Sequence, residues 1–137
     1  MNRGDFQELA ELHLQHAEAL LDAKLYSGAY YICGYAVECA LKACIARQTN
    51  QFDFPDKKAV DAAWTHELGR LLKVAGLEPA FEAEGKQDRL FDLNWQLVTQ
   101  WNERSRYERR SQNQAEDLFL AVSDPDHGVL ECTKRYW

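Results

Sequence analysis

The sequence predicts an all-α protein: an antiparallel bundle of four to five helices with a short helix at its C-terminal end. Three observations carry that expectation. Apolar residues recur every three or four positions along most of the chain. Ala, Leu, Glu, Gln, Lys and Arg, all favourable in helices, dominate, while proline occurs only at positions 55, 79 and 125. Neither Asn-Gly nor Asp-Gly occurs, and no long stretch alternates apolar with polar residues as a half-buried strand would.

The first helix is expected over residues 5–24, where Phe6, Ala10, Leu14, Ala17 and Leu21 form one face and Leu9, Leu12 and Leu20 widen it. Residues 25–28 suffice only for a tight connection, with Ser27 as the N-cap of the next helix, so the two helices pair as an antiparallel hairpin. The second helix, 28–47, is apolar on nearly every side and therefore needs cover all round, part of it from a partner subunit. Residues 49–58, with Pro55, read as a polar connector. Thr65 then caps a short third helix that buries Leu68, Leu71, Leu72 and Ala75. Gly76 suits its left-handed C-terminal position, Leu77 folds back on Leu72, and Pro79 prevents resumption.

Asp88 caps a fourth helix reaching residue 105, with Leu90, Leu93, Leu97 and Trp101 as its stripe and Phe91 and Val98 beside them. An Arg-rich link follows. The fifth helix, 114–122, faces inward through Leu118, Phe119 and Val122. Pro125 is placed to open the last helical stretch, 129–136, which packs Val129, Leu130 and Cys132 onto the bundle.

The 137 residues make a single domain, 1–137. A chain of this length buries roughly 68% of the surface its unfolded form exposes, so its core needs neither metal nor disulfides. Apolar residues at 46% and charged ones at 28% argue against disorder. Cys33, Cys39, Cys44 and Cys132 contain no close C-x-x-C pair, and the first three point in different directions around one helix. They read as small buried hydrophobes, and neither a metal nor a cofactor is expected. The opening Met-Asn-Arg-Gly begins no apolar leader, which together with the free cysteines suggests a reducing cytoplasm. The apolar run 29–46 carries Glu38 and Lys42, a pair costly in a bilayer, so it reads as a buried helix and not a membrane span.

A net charge of −6 argues against binding nucleic acid through global positive charge. The distribution is uneven, however: Arg104, Arg106, Arg109 and Arg110 face one acid, Glu108, within residues 104–110. Guanidiniums interleaved with Tyr107 and close to Trp101 can clamp phosphates and stack on a base, or they can be a solvated helix end that complements the helix dipole. Glu38 and Lys42, four apart within the most buried helix, either are compensated by an arginine of 104–110 reaching back or form a structural pair at the edge of an interface. His66 either is a structural residue at a helix start or lines the same cleft as Arg106. No phosphate-binding glycine loop, H-E-x-x-H or G-x-S-x-G occurs.

The stretch Tyr-Ser-Gly-Ala-Tyr-Tyr-Ile-Cys-Gly-Tyr-Ala-Val-Glu-Cys-Ala-Leu-Lys-Ala at 26–43, Thr-His-Glu-Leu at 65–68, and Trp101 through Arg106 and Tyr107 together resemble a HEPN domain. The resemblance runs from about residue 17 to 122 and implies a helical bundle that forms a homodimer. It also implies a prokaryotic toxin–antitoxin or defence setting, often beside a small nucleotidyltransferase as partner. Many members are metal-independent ribonucleases, with an arginine followed after four to six residues by a histidine. Here Arg106 matches the arginine, with Arg104 as the alternative, but positions 109–113 are Arg, Arg, Ser, Gln and Asn. Arginine stays protonated and cannot replace a histidine in proton transfer.

Three functions follow from these residues. The first is a homodimeric binding module whose cleft, built from Arg104, Arg106, Arg109 and Arg110, holds RNA, a nucleotide or an acidic partner. The second is a metal-independent endoribonuclease using Arg106, Tyr107 and His66. The third is a purely structural dimer.

Overall fold

The computed structural model describes residues 1–49, 54 and 56–137. Among them the chain forms eight α-helices, one 3-10 turn and no strand. Helix α1 (Arg3–Asp22) starts at a capping box in which the Asn2 side chain accepts from the Asp5 N–H and the Asp5 carboxylate accepts from the Asn2 N–H. It leaves through Lys24, whose φ of 61° is left-handed, with Leu25 N–H donating to the Leu20 carbonyl at 2.8 Å.

Helix α2 (Tyr26–Arg47) is the axis of the fold. It packs against α1, against α4 (Leu68–Val74), α7 (Gln112–Ser123) and α8 (Val129–Lys134), and against the 3-10 turn Glu103–Tyr107. Its length and composition would suit a membrane span, yet most of it is buried among those helices. The chain's own helices supply most of the cover that helix needs. Ala10 and Ala17 of α1 are fully buried and let that helix lie close against α2.

Ser27 is not the cap of α2, which begins one residue earlier; its hydroxyl instead accepts the Arg110 N–H at 2.8 Å. The connector is shorter than expected because Asp56 caps a further helix, α3 (Lys57–Ala63), while Pro55 lies outside the described residues. Thr65 accepts the Glu67 N–H at 3.1 Å but is not the cap of α4; the N-cap is Glu67 itself, two residues on.

The end of α4 is as the sequence predicts. Gly76 has a φ of 70°, and Leu77 N–H donates to the Leu72 carbonyl at 3.1 Å. Pro79 does not stop the chain, however; it occupies the first turn of α5 (Glu78–Gln87), where its missing N–H loses no hydrogen bond.

Asp88 closes α5 and caps α6 (Arg89–Val98), accepting from Leu90 and Phe91 N–H. Helix α6 ends well before residue 105. Its inward face is Phe91, Trp95 and Val98, with Phe91 and Trp95 both edge-on to Phe81 of α5. The leucines expected inside are outside: Leu90 is 54%, Leu93 45% and Leu97 36% exposed. Beyond α6 the chain turns so that Trp101 drops onto α2, and Asn102 caps the 3-10 turn.

Helix α7 begins at a second capping box, Ser111 with Gln114. Pro125 lies in the turn before α8, whose N-cap is Gly128. A Cβ at Gly128 would stand 2.3 Å from the Asp124 carbonyl oxygen, so only glycine fits there. All four cysteines are buried, and burial pushes the thiols of Cys39 and Cys44 up to about 12 and that of Cys132 to about 11.

Candidate functional site

The start of α4 and the chain leaving α6 form the two walls of a cleft of about 640 Å³. Trp64, His66 and Arg70 line one wall, and Trp101, Glu103 and Arg104 the other. Trp64 offers its indole freely, at 80% exposure. Trp101 is the opposite case, buried with its ring face against Gly34: a Cβ at position 34 would lie 2.3 Å from three of its ring atoms. That close approach sets the position of the second wall on α2.

One turn along α2 from Gly34 lies Glu38, 1% exposed. Its Oε1 accepts from Lys42 Nζ at 2.8 Å and faces His66 Nδ1 at 2.9 Å. Burial of a carboxylate is offset only when donors converge on it, and here an ammonium and an imidazole do. The compensation expected from an arginine of 104–110 therefore comes from His66. Glu38 Oε2, Trp101 Nε1 and Ser105 Oγ are buried without a protein partner among the described residues. Such atoms are where a water or a ligand group bonds.

The far ring nitrogen of His66, Nε2, is 3.3 Å from Glu103 Oε2 at the mouth of the cleft. The result is one connected series of polar contacts, Lys42 to Glu38 to His66 to Glu103, running from the buried axis to the surface.

The basic island does not act as one unit. Of its four arginines, only Arg104 lines the cleft with His66. Arg106 lies over the Tyr107 ring at 4.8 Å, and that ring is 79% exposed. Arg109 is exposed. Arg110 folds inward, its guanidinium 4.3 Å from the centre of the Tyr30 ring and paired with Glu108. Burial raises the Tyr30 phenol above its ordinary value, opposed by that guanidinium. With its backbone N–H on Ser27 as well, Arg110 fastens residues 108–111 to the start of α2.

The structure thus brings His66 and Arg104 together and leaves Arg106 and Tyr107 beside the cleft instead of within it. It adds Trp64, Arg70 and Glu103, which no sequence pattern marked. Arg70 is itself paired with Glu67, at 2.9 Å. Among the described residues, no three His, Cys, Asp or Glu side chains are grouped as metal ligands would be.

Neither a curated protein nor a solved structure matches the chain. A family model does: that of the HEPN domain, over residues 5–123 of 137. The match runs from Asp5, in the first turn of α1, to the end of α7, and includes both walls of the cleft, the buried Glu38 and its partner Lys42. The chain belongs to the HEPN domain family.

Proposed function

We propose that the chain is a homodimeric binding module that takes the phosphates of RNA or of a nucleotide in the cleft between residues 64–70 and 99–104. The observation that carries this reading is the cleft itself, which Arg104 and His66 both line together with the exposed Trp64. Guanidinium and imidazole donate to phosphate oxygens, and an exposed indole stacks on a base without regard to sequence. Membership of the HEPN family supports a module directed at nucleotides or RNA. A net charge of −6 makes binding local instead of global, so affinity rests on few phosphate contacts.

A toxin–antitoxin or defence setting, with a small nucleotidyltransferase as partner protein, goes with that reading. The exposed leucines of α6 supply an apolar face for the second copy of the chain.

Fluorescence anisotropy with a labelled single-stranded oligoribonucleotide tests the cleft. Arg104→Ala is expected to weaken binding roughly tenfold at low salt and to lower the salt slope by about one phosphate contact. Binding that Arg104→Ala leaves unchanged would remove the cleft from the account.

One observation favours a second reading, a metal-independent endoribonuclease. His66 is held through Nδ1 by a buried carboxylate with Nε2 toward the cleft, the arrangement that suits an imidazole for proton transfer. Cleavage of a mixed RNA pool by wild-type protein in EDTA, lost in His66→Ala, would establish it; an intact pool would exclude it.

A further inference from the structure

We propose that Glu103 occupies the cleft's own anion seat: its carboxylate stands where a ligand phosphate binds, on Nε2 of His66, and is displaced when that phosphate arrives. The inference rests on the phosphate-binding reading of the cleft and deepens it by naming the seat and its internal competitor.

The geometry begins at the buried end. Glu38 Oε1 holds His66 Nδ1 at 2.9 Å, and Lys42 anchors the same oxygen at 2.8 Å. The imidazole is therefore fixed from behind, on an axis that itself cannot move without leaving a buried charge unpaired. Its other nitrogen points outward and meets Glu103 Oε2 at 3.3 Å. Nδ1 donates to Glu38, and a ring that also carries a proton on Nε2 offers it outward, within ion-pair distance of Glu103. An N–H donor pointing outward at the mouth of a cleft is a seat for an anionic oxygen.

The two partners of that seat differ in how firmly they are held. His66 is tied to the buried axis, whereas Glu103 is 48% exposed and begins a 3-10 turn of five residues. A half-exposed carboxylate 3.3 Å from its partner is a weak contact, easily given up to solvent. A phosphate offers the same acceptor with further oxygens, and those reach toward Arg104, the next residue along the same wall. Carboxylate and phosphate cannot share the seat, because like charges a few ångströms apart repel. Glu103 thus lowers the affinity of the cleft for phosphate and raises its selectivity for ligands that bring a second contact.

The test is a double-mutant cycle read by anisotropy, using a 5′-fluorescein-labelled oligouridylate of about twelve nucleotides and the full chain. Glu103→Ala is expected to bind roughly fivefold more tightly than wild type, and His66→Ala to bind more weakly. In the His66→Ala background, Glu103→Ala is expected to give no tightening, because the seat it vacates is gone. Circular dichroism and melting temperature confirm that each variant is folded.

Two results would overturn the proposal while leaving the cleft reading intact. One is that Glu103→Ala fails to tighten binding although Arg104→Ala still weakens it. The other is that the tightening persists undiminished without His66, which would make it a general effect of removing negative charge. No binding by either wild type or Glu103→Ala would overturn both readings together. Competition with AMP distinguishes the source of the phosphate: displacement of the label assigns the seat to a free nucleotide, its failure to an RNA strand, and the gain in Glu103→Ala supports the seat in either case.

Discussion

The indole of Trp101 lies face-on against Gly34, so close that a Cβ on residue 34 would stand 2.3 Å from three ring atoms. This contact joins the axis of the bundle to the second wall of the cleft, and it makes the smallness of residue 34 a condition for both. Gly34→Ala is predicted to destabilise the protein by about 1–3 kcal/mol, the range expected of overpacking a filled core. Urea denaturation measures the loss, and a stability within about 0.5 kcal/mol of wild type would show that the indole has room to retreat.

Much of the fold was legible in the sequence because each helix buries a face of the right period. Helices α1, α2, α4, α6 and α7 follow from it, as does the α4 terminus at Gly76. What was not legible has identifiable causes. Proline ends a helix and also begins one, and at Pro79 the second role prevailed. Helix α6 carries two apolar sets of helical spacing, Leu90, Leu93 and Leu97 beside Phe91, Trp95 and Val98, and periodicity cannot say which faces inward. In the site, residue chemistry marked His66 and Arg104. It could not mark Glu103, which meets His66 because α4 and the 3-10 turn both pack against α2, nor foresee that Arg110 would fold onto Tyr30.

The exposed leucines of α6 predict the oligomeric state. Leu93→Glu, placing a charge in the middle of the stripe, is expected to convert a dimer to a monomer with little change in helix content. Light scattering at micromolar concentration reads the mass. A monomeric wild type, or a dimer indifferent to Leu93→Glu, would remove this face as the interface.

A latch between His127 and Asp88 predicts a pH dependence. Nδ1 of His127 meets Asp88 Oδ2 at 2.6 Å, tying the cap of α6 to the turn before α8. The hydrogen bond to Asp88 raises the imidazole above its ordinary value of 6.5, with the charges of Asp88, Asp124 and Asp126 adding to it. The same bond lowers the Asp88 carboxyl below 3.8. A raised histidine contributes stability that is complete below 6.5 and is lost as pH climbs through the folded-state value. A lowered aspartate contributes above 3.8 and loses it as pH falls. The melting temperatures of wild type and His127→Ala should therefore differ most between about pH 4 and 6.5 and converge in alkali. A difference that is constant with pH would contradict the latch.

Two left-handed residues predict opposite responses. Lys24, with a φ of 61°, carries a side chain where glycine is favoured, so Lys24→Gly is expected to stabilise by about 0.5–1 kcal/mol. Gly76, with a φ of 70°, already has the favoured residue, and Gly76→Ala is expected to cost about 1 kcal/mol. Thermal melts of the two variants check the pair, and a shift in the same direction for both would refute the argument.

A ¹⁵N–¹H correlation spectrum titrated with an oligoribonucleotide locates the binding surface residue by residue. Shifts are expected to concentrate on residues 64–70 and 99–104, including the indole N–H of Trp64. Shifts confined to the exposed face of α6, or to Arg106, Tyr107 and Arg109 with the cleft silent, would contradict the cleft reading.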